Sequence, residues 1–186
     1  PEASPEWIAN VNPFVVVVTV LFVTELGRRI TALTSISIGM FLIPISAFVM
    51  SLGPWLMGIS GSEISVIGLI MSPITIMMIF GIAIQALGET FISPRFLEYF
   101  SLQSPKGEEG LYLGFSHLHS FLANLLGFIS SGYLLEKYCP KLPETVSAVE
   151  KAAAYAHAHY IWYYYAVVGV VAALALVVYE KKKKKI

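Results

Sequence analysis

Glu89 is a single carboxylate inside a long apolar stretch, and Ser93-Pro94 follows it one helical turn later. A charge at the centre of a bilayer costs about 2.5–3.5 kcal/mol on insertion scales, so such an acid faces a bundle interior or a hydrated cavity. Proline bends a helix because it lacks the backbone N–H. A buried acid beside a helix bend is typical of a site for a proton or a solute. The alternative is a structural Glu that is protonated or hydrogen-bonded, for example to Gln85.

The composition of the chain indicates a membrane environment. Of its 186 residues, 56% are hydrophobic and 13% are charged, against about 25% charged in soluble domains. The mean hydropathy is +0.73. In lipid the backbone must satisfy its own hydrogen bonds, which favours helices. The sequence therefore predicts an all-α membrane protein, a single transmembrane helical domain over 1–186. Its five predicted spans are each near the roughly 20 residues that cross a bilayer, at 8–26, 32–53, 72–102 with a kink at Pro94, 111–134 and 157–179.

Polar residues of the fourth span are candidates for the same site. His117 and Asn124 are predicted to line a cavity with Glu89 and Gln85. The alternative for His117 is a hydrogen bond to a neighbouring helix, because polar side chains join helices in membranes, and the alternative for Asn124 is a packing role. His117 and His119 lie two residues apart and point in different directions on a helix. A joint metal site is therefore not expected, although either His alone could relay a proton or ligate a tetrapyrrole.

Charged pairs at the ends of two spans are candidates for a gate. Arg95 and Glu98 follow the Pro94 bend and could form a gating salt bridge. Glu25 is either a second buried acid or an interfacial partner of Arg28 or Arg29, and Glu25 and Arg28 complete the candidate gating set. The alternative reading is a surface ion pair, which is worth less than about 1 kcal/mol.

The distribution of lysine and arginine predicts the orientation. Nine basic residues fall on one side and three on the other, and the richer side is cytoplasmic by the positive-inside rule. We therefore expect a multi-pass protein of the inner or plasma membrane with its C-terminus in the cytoplasm, ending in a basic tail at 181–186. Without the run of five lysines the ratio is four to three.

The sequence lacks the motifs of several classes of function. We see no Ser–His–acid spacing, glycine-rich phosphate loop or zinc motif, so we expect neither an enzyme nor a cofactor or metal site. The one basic cluster is the terminal lysine run, so we expect no nucleic-acid partner.

Three motifs carry a resemblance to a known family. Gly88-Glu89-Thr90-Phe91-Ile92-Ser93-Pro94 resembles Gly-Glu-Leu-x-x-Ser-Pro in the tenth helix of the proton-dependent oligopeptide transporters, which belong to the major facilitator superfamily. Asn12-Pro13-Phe14 resembles the opening of their eighth helix. Gly110-Leu111-Tyr112-Leu113-Gly114-Phe115, followed by Asn124-Leu125-Leu126, resembles their eleventh helix. The resemblance covers roughly residues 7–134, and the last span fits the twelfth helix by position. The chain departs from the family at Ser116, where a Trp is usual.

The resemblance implies helices eight to twelve of a twelve-helix transporter. Its function would be proton-coupled transport of a small solute, with peptides as one candidate, and Glu89 would bind the peptide amino terminus or the proton. The partners would be the lipid bilayer, the solute, the proton and a missing N-terminal half. The alternative is a transport-inactive structural or accessory subunit of a larger membrane complex, such as a respiratory or photosynthetic assembly. The short chain favours that alternative, whereas the buried acid favours transport.

Overall fold

The computed structural model describes residues 8–66, 68–143 and 145–183 and is predominantly helical. The predicted fold class, an all-α membrane protein, is confirmed. A short antiparallel hairpin pairs Ile64–Val66 with Leu69–Met71. In chain order the elements are α1 Val11–Gly27, α2 Ala32–Ser51, α3 Gly53–Ser60, β1 Ile64–Val66, β2 Leu69–Met71, α4 Pro73–Gln103, α5 Glu109–Ser116, α6 Leu118–Tyr138, α7 Ala148–Ala154 and α8 Tyr160–Lys183.

Among the described residues, four segments are long and apolar enough to cross a membrane. They are Ala32–Ser60, Pro73–Gln103, Glu109–Tyr138 and Tyr160–Lys182, and α1 is a shorter apolar helix of 17 residues. A length of 17 lies at the lower end of the range for a transmembrane helix. The stretch predicted as one fourth span consists of two helices, α5 and α6, which are separated at His117.

Local signals in the sequence explain where the two central helices begin. The Thr31 hydroxyl accepts a hydrogen bond from the Thr34 N–H at 3.2 Å at the start of α2. Ser72 does the same for Ile74 at the start of α4, where Pro73 occupies the first turn. Both arrangements satisfy N–H groups that a helix start leaves without partners. From this start α4 runs through Pro94 to Gln103, and its 31 residues span about 46 Å at 1.5 Å per residue.

Helix α4 lies at the centre of the packing. It packs most extensively against α2 and also contacts α1, α3 and α5, while α8 packs on α2. Glycines bring α2 and α4 together, because a Cβ built on Gly39 would lie 2.6 Å from the carbonyl oxygen of Gly88 and 2.5 Å from Cγ1 of Ile92. Small residues commonly permit such close approach between helices in membranes.

The outer helices bury little of their apolar surface. On α6, Phe128 is 79% exposed and Leu126 is 66% exposed, and Val167 on α8 is 63% exposed. Helices that expose so many large apolar side chains require lipid or further protein against them. At the end of α8 the helix includes Lys181–Lys183 of the predicted basic tail, and residues 184–186 lie outside the described part of the chain.

The connection between α6 and α8 contains α7, which begins with a capping box. The backbone N–H and the hydroxyl of Ser147 both donate to Oε2 of Glu150, at 3.2 and 2.8 Å. The hydroxyl bond, followed by the backbone bond, lowers the pKa of Glu150 below its ordinary value. The two bonds to the carboxylate are therefore at full strength at neutral pH and weaken as the pH falls through that lowered pKa.

The glycine contact between α2 and α4 gives a direct test of the packing. We expect Gly39→Ala to destabilise the protein by about 1–3 kcal/mol, because the added methyl group meets backbone that cannot move away cheaply. Gly127→Ala on α6 is the matched control, since its Cβ would meet nothing within 4 Å. Thermal unfolding midpoints in detergent measure both variants, and equal midpoints would contradict the packing described here.

Candidate functional site

Glu89 accepts one hydrogen bond on each of its carboxylate oxygens. Gln85, one turn earlier on α4, donates its Nε2–H to Oε1 at 3.0 Å. Asn12, in the first turn of α1, donates its Nδ2–H to Oε2 at 3.2 Å. The carboxylate is half-buried, and it joins two helices through residues 77 positions apart in the chain. The packing of α1 on α4 thus creates the site.

The donors to Glu89 are neutral amides. Within residues 8–66, 68–143 and 145–183, no Lys, Arg or His makes a recorded hydrogen bond or ion pair with this carboxylate. Two amide donors hold the carboxylate in place but do not neutralise it. A carboxylate can accept about four hydrogen bonds, so lone pairs remain for a proton or an ammonium group.

The structure does not bring His117 and Asn124 to Glu89. His117 lies at the junction of α5 and α6, Asn124 lies on α6, and both are exposed. The physical reason is packing, because the helices that α6 mainly contacts are α5 and α8. Asn12 takes the position expected for these residues. The only feature of the sequence that could have indicated Asn12 is that it is a polar residue in the opening turn of an apolar span.

A second polar region surrounds the Pro94 position of α4. Proline has no N–H to donate to the carbonyl of Thr90, one turn back. The next carbonyl, that of Phe91, accepts a hydrogen bond at 3.0 Å from the hydroxyl of Ser35 on α2. Ser35 is only 1% exposed, so this bond ties α2 to α4 inside the bundle, immediately before the proline.

The predicted gating residues lie beside this region. A cavity of about 200 Å³ is lined by Ser35, Thr90 and Pro94 together with Arg28, Arg95 and Glu98. Arg95 pairs with Glu98, and the Arg95 side chain is 16% exposed. Arg28 pairs with Glu25 at 3.3 Å, but these side chains are 73% and 62% exposed. The Arg95–Glu98 pair is therefore the more buried of the two.

Arg95 also depends on a glycine of α1. A Cβ built on Gly27 would lie 2.6 Å from Nη2 of Arg95, so the guanidinium lies directly against the end of α1. Among the described residues, no group of three or more His, Cys, Asp or Glu could hold a metal ion. What the structure assembles is an acid between α1 and α4 and a cation–acid pair further along α4.

A multi-helix membrane protein with a half-buried acid between two spans has the features of a membrane transporter. The chain belongs to the POT family, because the sequence model of that family matches residues 2–144. This is a family of transporters resembling the proton-dependent oligopeptide transporters of the major facilitator superfamily, so the resemblance in the motifs is confirmed. A search of curated proteins finds no match. The matched region extends from the residues before α1 to the connection after α6.

Ser35 allows a test of the interhelical contact at Pro94. We expect Ser35→Ala to cost about 0.6–1.7 kcal/mol, the range for hydrogen bonds between membrane helices. Ser46→Ala is the matched control on the same helix, because Ser46 is 2% exposed and its hydroxyl donates to Ile43 of its own helix at 2.7 Å. Unfolding in detergent measures both. A larger loss in Ser46→Ala than in Ser35→Ala would contradict the assigned contact.

Proposed function

We propose that this chain forms the C-terminal part of a proton-coupled transporter, with Glu89 as its central acid. Membership of the POT family supports transport of peptides or other small solutes. The observation that carries the proposal is the pair of amide donors that hold Glu89 between α1 and α4. A carboxylate fixed in this way, without a cationic partner among the described residues, can exchange a proton or receive an ammonium group.

The proposed transport cycle uses a second set of helices. Alternating access in this fold is a rocking of two helix bundles about a site near the bilayer midplane. In our proposal the helices of this chain correspond to helices eight to twelve, and the other bundle comes from an N-terminal half. Glu89 faces the interface between the bundles, and the C-terminus is cytoplasmic.

The cavity at Pro94 supports a gate on the cytoplasmic side of Glu89. In the proposed orientation α4 runs from outside to inside, so Arg95 and Glu98 lie closer to the cytoplasm than the acid does. Their pairing and the burial of Arg95 support a role in closing that side. Glu25 and Arg28 form a second pair at the same cytoplasmic end, and this pair is more exposed.

A non-transporting accessory subunit is the second candidate. The exposed apolar faces of α6 and α8 support it, because they leave room for permanent contact with other membrane subunits. Native purification distinguishes the two functions. Stoichiometric co-purification with a membrane complex, without an N-terminal half, would favour the accessory subunit over the transporter.

The proton-coupling role of Glu89 is tested by Glu89→Gln in liposomes containing the complete transporter. We expect proton-driven uptake to fall at least about tenfold, because Gln retains the size of the side chain but cannot exchange a proton; tenfold corresponds to about 1.4 kcal/mol. Counterflow without a proton gradient should be less affected. Glu63→Gln, an exposed acid before the hairpin, is the control. Unchanged proton-driven uptake would remove Glu89 from the coupling mechanism.

The proposed gate is tested by comparing Glu98→Gln with Glu25→Gln. Both variants remove the acid of an i,i+3 pair with arginine. We expect Glu98→Gln to change the transport rate severalfold, because it leaves the mostly buried Arg95 without its partner. Glu25→Gln should stay near wild type, since exposed pairs contribute little. Equal rates for the two variants would argue against a gate at Arg95.

A further inference from the structure

The segment Glu109–Tyr138 contains a break in its helical hydrogen bonds. Its two helices, α5 and α6, meet at His117. The Ser120 N–H, which an unbroken α-helix would direct to the carbonyl of Ser116, donates instead to the carbonyl of His117 at 3.0 Å. The backbone thus changes to i→i−3 bonding at this point. The carbonyl of Ser116 therefore lacks the N–H donor that a regular α-helix would provide.

The imidazole of His119 replaces that donor. Its Nδ1 is hydrogen-bonded to the carbonyl oxygen of Ser116. A carbonyl can only accept, so Nδ1 must carry the proton. The other ring nitrogen, Nε2, lies 3.3 Å from the hydroxyl of Ser120 and can accept from it when the ring is neutral. The contacts of both nitrogens therefore select one tautomer.

The same ring also contacts the central helix α4. The ring centroids of His119 and Phe96 are 4.6 Å apart, at an angle of 47°. Phe96 is two residues after Pro94 and packs in turn on Phe100, at 4.7 Å. His119 thus connects the broken segment to the part of α4 that follows the proline. In a membrane span a carbonyl without a donor is costly, so a side chain that supplies the donor determines whether the break is tolerated.

We propose that His119 is a positioning residue that stabilises the break between α5 and α6 and couples it to the segment of α4 after Pro94. Its Nδ1–H satisfies the Ser116 carbonyl, and its ring packs on Phe96. The two segments therefore move together when the cytoplasmic side opens or closes. The transport part of this inference rests on the proposed function, whereas the hydrogen bond and the tautomer do not.

The tautomer is tested directly by nitrogen NMR. The full-length protein is labelled with ¹⁵N-histidine and reconstituted in lipid nanodiscs, and the signals lost in His119→Phe and His117→Phe assign the two residues. We expect His119 to be protonated at Nδ1 and unprotonated at Nε2 at a pH where the ring is neutral. A neutral His119 protonated at Nε2 would overturn the proposal, whether or not the protein transports.

Two substitutions at His119 test the hydrogen-bond donor and the ring contact separately. His119→Asn retains an N–H donor near the position of Nδ1 but removes the ring, and His119→Phe retains the ring contact with Phe96 but removes the donor. His117→Phe is the matched control, because no described residue makes a hydrogen bond or ring contact with the side chain of His117. We expect kcat to fall about tenfold in His119→Phe with KM within about twofold, or about 1.4 kcal/mol in the barrier.

The other two variants should both be more active than His119→Phe. His119→Asn should give a kcat between those of His119→Phe and wild type, because it keeps the donor but loses the ring contact with Phe96, and His117→Phe should stay within about twofold of wild type. If His119→Asn loses as much activity as His119→Phe while both retain the wild-type unfolding midpoint, the donor role is wrong. If His117→Phe is equally impaired, the effect is not specific to His119. A wild-type protein that shows no transport contradicts the proposed function, and the NMR result still decides the tautomer.

Discussion

The structure depends on the rule that every backbone carbonyl and N–H inside the bilayer must have a partner. The regular ladder is interrupted at Pro44 in α2, at Pro94 in α4 and at His117 in Glu109–Tyr138. Near the last two of these breaks a side chain supplies a donor, Ser35 to the carbonyl of Phe91 and His119 to that of Ser116. His119 bonds the carbonyl that the break at His117 leaves without its regular donor, whereas Ser35 bonds the carbonyl next to the one that Pro94 leaves.

The location of the acid follows from the same framework. Glu89 lies five residues before Pro94 and next to Gly88, whose carbonyl oxygen lies against Gly39 of α2. That close contact fixes the position of α4, and α1 then packs on α4 and brings Asn12 to the carboxylate. The contact between α2 and α4 thus determines the geometry of the site, although α2 contributes no hydrogen bond to Glu89.

The sequence predicted the class of fold, and it selected Glu89 as the centre of the candidate site, because both depend on local patterns. Apolar stretches long enough to cross a bilayer are visible in the amino-acid composition. An acid within such a stretch is conspicuous because burying its charge in the membrane costs free energy. The Gln85–Glu89 bond joins residues one turn apart, which is a spacing that a helix makes adjacent. Asn12 comes from a helix 77 residues away, so no local pattern could select it over Asn124. The pattern also could not separate His119 from His117, because the break between α5 and α6 decides which ring meets the Ser116 carbonyl.

The chemistry at Glu89 follows from what its two neighbours can and cannot do. Amides from Asn12 and Gln85 orient the carboxylate but carry no positive charge. A half-buried carboxylate in a membrane is costly unless a cation or a proton accompanies it. Since none of the described residues provides a cation by hydrogen bond or ion pair, we propose that charge balance comes from a proton or from the ammonium group of a solute. In the proposed transport cycle both arrive and leave during alternating access, so an acid held by neutral amides suits that cycle better than a permanently ion-paired acid does.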